Sequence, residues 1–251
     1  MLRANNSMKE TLLAHTAMKG SVYFCPHCHD EVILKQGRVR VPHFAHKNMT
    51  DCPLSITESI GHIEMKAYIS QALSIKYPNT NVEVPIGNRI VDIVVRDSRG
   101  NSYAVECQYS PTTVQEWEER TRFINTNQMA VIWAWSSMRF KLYGESESKI
   151  PQDILNCHKL AFGKVYYFNH ELKRLFACHL EPVTRWKDTA YDRDGNQVGG
   201  YSVRLKTVRN TKFVEVPLRI KEYKSSNHIF RLAELGEGVF WEPAKPNSYS
   251  Y

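Results

Sequence analysis

A chain of 251 residues with 42% hydrophobic residues is long enough for one main folded core with one or two smaller units. It has no run of about 18 apolar residues, and its N-terminal sequence lacks the apolar segment of a secretory signal, so we expect a soluble, cytoplasmic protein without a membrane span. The formal net charge of +7 is compatible with a polyanionic partner but does not require one.

The first predicted unit, residues 1–53, is a small zinc-binding domain. Five candidate ligands lie close together in it: Cys25, Cys28, His43, His46 and Cys52. Two ligand pairs suit tetrahedral zinc, because a tight turn can direct two side chains at one ion. Four of the five are expected to bind: Cys25 and Cys28, with Cys52 and His46 favoured for the other two places. His43 stays a candidate, because the symmetrical sequence HFAH does not show which histidine points inward. No open coordination position is evident, so we expect a structural ion; a reduced cluster without metal is the alternative.

The second predicted unit, residues 54–140, opens with a helix. Ser55 and Glu58 have the spacing of a capping box, which marks a helix start. Glu58, His62 and Lys66 are four residues apart and form a polar stripe beside the buried face of this helix. The stripe is either part of a site or a solvated row of i,i+4 pairs.

Three strands follow this helix and are joined by short turns: VEVPI, RIVDIVV and SYAVECQ. A second helix begins at the capping box of Thr113 and Glu116 and ends near Asn127, and the apolar strand MAVIWAW comes after it. The predicted order is helix, three strands, helix, strand. This is an αβββαβ core of the α+β or α/β class with a mixed sheet.

Two of these strands carry an acid among apolar neighbours, Asp92 in RIVDIVV and Glu106 in SYAVECQ. Gln108 comes two residues after Glu106 and therefore points to the same side of the sheet. Two partly buried carboxylates repel each other and lose hydration unless a cation lies between them. The pattern indicates a site for Mg²⁺ or Mn²⁺. In the alternative, each acid is exposed or pairs with Arg89 or Arg96.

The third predicted unit, residues 141–251, is β-rich and basic. Between Tyr201 and Arg231 the sequence has eight Lys or Arg residues against two acids. Arg204 and Lys206 alternate with apolar residues, as on the exposed face of a strand. This face is either a surface that binds phosphates or a solvated sheet face.

The motifs of the first two units follow one another in a specific order. From Phe24 to Trp135 the order is Cys25-x2-Cys28, HFAH, Cys52, Ser59-x2-His62-x3-Lys66, Arg89-x2-Asp92, Glu106-x-Gln108-x-Ser110 and Arg120-x2-Phe123. This order resembles the competence protein CoiA-like family, and its αβββαβ part looks like the PD-(D/E)XK nuclease superfamily. The resemblance implies a nuclease-like domain behind a small zinc-binding domain, and processing of incoming DNA in natural transformation.

The chain departs from the superfamily at Gln108, where a lysine is usual. A lysine helps to activate water and offsets phosphate charge, whereas an amide only positions water by hydrogen bonds. Lys66 or Arg120 is a candidate for the missing cation, and His62 for a metal ligand or proton carrier. The predicted catalytic residues are Asp92, Glu106, Gln108, Glu58, His62 and Lys66. Of these, Asp92 and Glu106 are the predicted ligands of Mg²⁺ or Mn²⁺.

The predicted function is hydrolysis of DNA phosphodiester bonds by a metal-dependent nuclease without a small organic cofactor. DNA is the expected partner, and recombination or DNA-uptake proteins are further candidates. A catalytically inactive DNA-binding module on the same scaffold is the first alternative, with salt-sensitive affinity but no cleavage. A protein-interaction adaptor without DNA affinity is the second.

Overall fold

The computed structural model describes residues 1–48, 50–54, 58–139, 147–160, 164–215, 220–221 and 232–235. Beyond Ser202 the backbone of residues 203–215 and 220–221 is described without side chains, so the predicted basic face of Arg204 and Lys206 lies outside the described side chains. The predicted helix start at Ser55 also lies outside the described residues. Within the described ranges, no helix combines the length and the apolar character needed to cross a membrane.

The N-terminal residues fold into an antiparallel five-stranded sheet in the order β2-β1-β3-β4-β5. Its strands are β1 (Arg3–Asn5), β2 (Thr11–Leu13), β3 (Tyr23–Phe24), β4 (Glu31–Lys35) and β5 (His43–His46). A separate small core lies under this sheet, with the rings of Tyr23 and Phe44 5.0 Å apart at its centre. A small core of this kind gains stability from a metal or from packing on a neighbouring domain.

The next six elements have the predicted αβββαβ order. They are α1 (Ile60–Ser74), β6 (Thr80–Ile86), β7 (Arg89–Arg96), β8 (Ser102–Gln108), α2 (Val114–Thr126) and β9 (Ala130–Ser136). Helix α2 starts at the predicted cap, because the Thr113 side chain accepts the Glu116 N–H at 3.1 Å. Helix α1 is capped by Ser59, which accepts the His62 N–H at 3.2 Å, so the helix start predicted at the capping box of Ser55 and Glu58 was wrong by four residues.

The remaining elements continue from residue 147. They are β10 (Glu147–Lys149), α3 (Gln152–Leu160), β11 (Val165–Asn169), β12 (Arg174–Lys187), β13 (Ala190–Tyr191), β14 (Gln197–Val198), β15 (Tyr201–Glu215), β16 (Ile220–Lys221) and β17 (Glu234–Leu235). Strand β11 pairs in parallel with β9, and β12 pairs with β11 and β15. The strands β10, β11, β12 and β15 therefore extend the sheet that begins in the αβββαβ core.

The largest sheet among the described residues is mixed and has eight strands in the order β10-β15-β12-β11-β9-β8-β7-β6, and β13-β14 and β16-β17 form two separate pairs. Strands β6, β7 and β8 form an antiparallel meander, whereas β9 runs parallel to β8. Because side chains alternate along a strand, each face of the sheet has its own apolar layer. Helix α1 packs on one face through Ile69 and Leu73, and α2 and α3 pack on the other through Trp117 and Ile154.

Candidate active site and zinc-binding site

Three cysteines and one histidine meet in the N-terminal domain. The side chains of Cys25, Cys28, His46 and Cys52 offer four ligand atoms that all lie within 4.8 Å of one another. Cys28 Sγ is 3.2 Å from His46 Nε2, and the Sγ atoms of Cys25 and Cys52 are 3.8 Å apart. A Cys₃His set is one of the usual tetrahedral zinc shells, so these residues fit a zinc ion.

A tight turn after β3 directs the first two cysteines to this site. His29 donates its N–H to the Cys25 carbonyl at 3.0 Å, and its φ of 64° closes the turn in the left-handed region. His46 comes from the end of β5. His43, at the start of the same strand, is outside the group and its Nδ1 lies 3.0 Å from the Val41 carbonyl oxygen.

The electrostatics of this site oppose free thiolates. Burial raises the pKa of the Cys25 thiol, and burial together with the neighbouring cysteines raises that of Cys28 to about 12. Burial also lowers the pKa of His46, so its imidazole is neutral, as a ligand must be. Without a cation Cys25 and Cys28 are protonated thiols, and a bound metal ion would hold them as thiolates.

A second group lies between α1 and β7, in the αβββαβ core. Glu58, His62 and Asp92 offer three ligand atoms that lie within 4.8 Å of one another. His62 bridges the two acids, with Nδ1 2.8 Å from Glu58 Oε1 and Nε2 3.3 Å from Asp92 Oδ2. The Cys107 N–H donates to Asp92 Oδ2 at 2.9 Å and fixes this carboxylate against β8.

Lys66 supplies a buried ammonium to the same group. Its Nζ contacts Glu58 Oε1, lies 2.8 Å from Glu83 Oε1 and lies 3.9 Å from Asp92 Oδ1. The Lys66 side chain is only 4% exposed, so these three carboxylates replace the water that the ammonium has lost. Lys66 is therefore an internal counter-ion of the acidic group.

Glu106 and Gln108 are held by α2 rather than by α1. Arg120 donates to the Glu106 carboxylate and, through Nη1, to Gln108 Oε1 at 3.0 Å. Gln108 Nε2 donates to the Ser110 carbonyl at 2.7 Å, so both ends of this amide have partners. Glu106 is not part of the group of Glu58, His62 and Asp92.

The pKa values of these buried groups follow their partners. Burial opposes ionisation of Asp92, but the charges of His62 and Lys66 outweigh it and hold the pKa of Asp92 well below its usual range. Burial would lower the pKa of His62, yet its two acidic partners raise it to about 9. Burial raises the pKa of Glu106 to about 7, although Arg120 opposes this shift. Ionisation is thus stabilised in the first group and opposed at Glu106.

The whole centre contains as many acids as bases. The acids are Glu58, Glu83, Asp92 and Glu106, and the bases that contact them are His62, Lys66, Arg120 and the N-terminal ammonium of Met1, which lies 3.7 Å from Glu58 Oε2. Carboxylates and an imidazole suit Mn²⁺, and carboxylates with water suit Mg²⁺. The donor set of the first group therefore fits a divalent cation, which would take carboxylate oxygens from the bases that neutralise them here.

Sequence patterns identified most of this centre. The structure brings Glu58, His62, Lys66 and Asp92 together, and it places Glu106 and Gln108 on Arg120 beside them. The predicted ion between Asp92 and Glu106 stays a prediction, because Glu106 lies outside the group of ligand atoms. The bases predicted as alternative partners lie elsewhere, since Arg89 is over the Phe123 ring and Arg96 donates to Ser102. Glu83, which is 1% exposed, was not among the predicted residues. The signal was present, because Glu83 lies between Val82 and Val84 just as Asp92 lies between apolar neighbours.

Comparisons with known proteins cover the N-terminal domain and the αβββαβ core. A family model described as "Competence protein CoiA, N-terminal domain" matches residues 5–55, and one described as "Competence protein CoiA, nuclease-like domain" matches residues 58–191. Competence protein CoiA of Bacillus subtilis (strain 168) is 28% identical over 127 residues, which are 49% of this chain and 34% of that protein. The match thus spans about a third of the relative's length. No solved structure matches the chain.

Proposed function

Because the chain belongs to the competence protein CoiA family and carries its nuclease-like domain, we propose that it is a metal-dependent nuclease that hydrolyses DNA phosphodiester bonds. The observation that carries this proposal is the convergence of Glu58, His62 and Asp92 within 4.8 Å, beside the buried acid Glu106. Burying acids together with their counter-ions costs desolvation free energy, and such clusters are concentrated at functional sites. The αβββαβ order supports a core of the PD-(D/E)XK type.

The divalent ion in this proposal is Mg²⁺ or Mn²⁺. Asp92 and Glu58 would hold it, with His62 between these two ligands and Glu106 as the second strand acid of the site. When bound, the ion would lower the pKa of a water molecule and offset charge on the phosphate. The Cys₃His group is proposed to hold a structural Zn²⁺, since four protein ligands leave no open position.

The protein's own side chains have distinct tasks in this proposal. His62, which lies between two carboxylates, carries a proton to or from the reacting groups. Arg120 is 23% exposed and its planar guanidinium can donate to phosphate oxygens as it does to Glu106. Gln108 holds Arg120 through its carbonyl oxygen, so it positions the cation that stands in for the usual lysine.

The test is cleavage of end-labelled single- and double-stranded DNA with and without Mn²⁺. Glu106→Gln keeps the shape of the side chain and removes its charge, and we expect cleavage to fall by about 100-fold or more. The matched control is Glu118→Gln, because Glu118 is on the exposed side of α2, where it pairs with Arg122. Full cleavage by Glu106→Gln would remove this acid from the mechanism.

A second candidate function is DNA binding without cleavage. Gln108 in place of a lysine favours it, and so does Arg120, which already occupies the carboxylate of Glu106. In this case the same assay shows salt-sensitive DNA binding and intact DNA in both Mg²⁺ and Mn²⁺. The outcome of the wild-type assay therefore separates the two functions.

A further inference from the structure

Glu83 occupies an unusual position in the middle of β6. Its φ of 52° is in the left-handed region, which non-glycine residues seldom adopt, and it is 1% exposed. The two valines that flank Glu83 face opposite sides of the sheet. Val82 packs in the apolar layer of α1, whereas Val84 packs against the layer of α2. A residue kept in such a conformation is held by its surroundings, which makes its contacts informative.

The Glu83 carboxylate has partners from two different parts of the chain. Both of its oxygens accept the backbone N–H of Leu2, at 2.9 and 2.8 Å. Oε1 also accepts Lys66 Nζ at 2.8 Å. The carboxylate thus connects the residue that precedes β1 with the ammonium that contacts Glu58 and Asp92.

We infer that Glu83 is a positioning residue, which holds Lys66 in place between Glu58 and Asp92 and connects this centre to the zinc-binding domain. The inference rests on the proposed function, because Glu58 and Asp92 are the proposed ligands of the divalent ion. Glu83 itself lies outside the group of ligand atoms that can hold that ion. Its role is therefore exerted through Lys66.

The charge of Glu83 decides how strongly Lys66 competes with a metal ion. Three carboxylates surround the Lys66 ammonium, and Glu83 is the one among them that is not a proposed metal ligand. Without that charge, Lys66 is left to Glu58 and Asp92, and it competes more strongly with a divalent cation for their oxygens. Substitutions of residues that orient metal ligands usually reduce metal affinity by about 10- to 100-fold.

The backbone connects Glu83 to the zinc-binding site over a short path. Leu2 accepts the Ala14 N–H at 2.8 Å, and Asn5 of β1 pairs with Phe24 of β3, which immediately precedes Cys25. Loss of the zinc ligands is expected to loosen this small sheet and with it the Leu2 amide. The zinc domain therefore supports the acidic centre through Glu83.

The first test is the affinity for Mn²⁺, measured by calorimetry. Glu83→Gln is isosteric and is expected to weaken binding by about tenfold. The matched control is Glu31→Gln, which removes an exposed acid whose partner is Lys47, and it should leave the affinity unchanged. Equal affinities of Glu83→Gln and wild type would overturn the inference.

The connection to the zinc domain is tested with Cys28→Ser in both backgrounds. We expect Cys28→Ser to weaken Mn²⁺ binding in the wild-type background and to have no additional effect in Glu83→Gln, because the connecting carboxylate is already altered. Additive losses in the double variant would mean that the zinc domain acts on the centre by another route.

A metal-independent measurement separates failure of this inference from failure of the proposed function. In ¹⁵N-lysine spectra, an ammonium held by fixed carboxylates exchanges slowly and gives an observable signal, which Lys66→Met assigns by its loss. The signal should be present in wild type and in Glu31→Gln and should be shifted or absent in Glu83→Gln. If wild type binds no Mn²⁺, the metal-dependent function fails and this signal still tests Glu83. Its absence from wild type, or its persistence unchanged in Glu83→Gln, would overturn the positioning role.

Discussion

The two candidate metal sites of this chain differ in how the charge of their ligands is neutralised. The zinc-type site gathers three thiols and one imidazole, and neither lysine nor arginine is among these four residues. The acidic centre gathers four carboxylates around His62, Lys66 and Arg120, so most of its charge is neutralised by the protein itself. A site of the first kind depends on its ion for its structure. A site of the second kind can persist when its ion leaves, as a centre that exchanges Mg²⁺ must.

Removal of a zinc ligand is expected to have the largest effect. Cys25→Ser should abolish zinc binding, which in small zinc domains contributes on the order of 10 kcal/mol, and the sheet of β1–β5 should lose its order. The sheet of β7–β9 should remain folded, because its apolar layers contain few residues of the first domain. Zinc content and hydrogen exchange of the two sheets measure this difference. Protection of β3–β5 in a metal-free variant would contradict it.

Removal of Lys66 is expected to have the next largest effect. Lys66→Met leaves Glu58, Glu83 and Asp92 without their shared ammonium, and breaking a buried ion pair of this kind costs about 3–5 kcal/mol. Urea unfolding gives the change in free energy of unfolding. The control is Lys173→Met, because Lys173 pairs with Glu64 at a site where it is 34% exposed, and such pairs contribute about 0–1 kcal/mol. Equal losses for the two variants would show that the acidic centre is not balanced by Lys66.

A smaller effect is expected beside the acidic centre at Gly61. A Cβ at this position would overlap the ring of Tyr109, which follows Gln108 and packs over the start of α1. Alanine usually stabilises a helix relative to glycine, but here the overlap is expected to destabilise the protein by about 1–3 kcal/mol. Thermal unfolding measures the change. Gly37→Ala is the control, since a Cβ there meets no atom within 4 Å. A more stable Gly61→Ala variant would show that Tyr109 is free to move away.

The smallest expected effect distinguishes the two histidines of β5. His43→Ala should leave one zinc per chain, because the imidazole of His43 is directed to the Val41 carbonyl rather than to the cysteines. His46→Ala should reduce zinc occupancy in the same measurement. Equal zinc occupancy in both variants would mean that either histidine can complete the zinc shell. The zinc site would then be less specific than its contrast with the acidic centre requires.

Local patterns were sufficient to predict the elements of the core and the cysteines of the zinc site. The cap of α2 at Thr113 and the strand from Ala130 to Ser136 follow from residue types that act within a few positions. His46 was favoured as the histidine ligand and lies in the group, but His43 was kept as a candidate. The two are three apart on one strand and therefore lie on opposite faces. The alternation shows that only one can reach the site, and tertiary packing decides which.

Long-range partners were the least predictable features. Arg120 reaches Glu106 and Gln108 only because α2 packs on that face of the sheet. Glu83 receives the Leu2 amide from 81 positions away in sequence. No spacing rule connects such residues, since their contact depends on how the zinc-binding domain and α2 pack on the core. Buried acids in apolar strands can be recognised in a sequence, but their counter-ions require the fold.

The most direct test is a crystal of the protein grown with Mn²⁺, with anomalous diffraction recorded at the zinc and manganese absorption edges. We predict a zinc peak among Cys25, Cys28, His46 and Cys52, and a manganese peak in contact with Asp92 and at least one of Glu58 and His62. The absence of manganese from the acidic centre, with Lys66 and His62 still bound to its carboxylates, would contradict the proposed metal-dependent site.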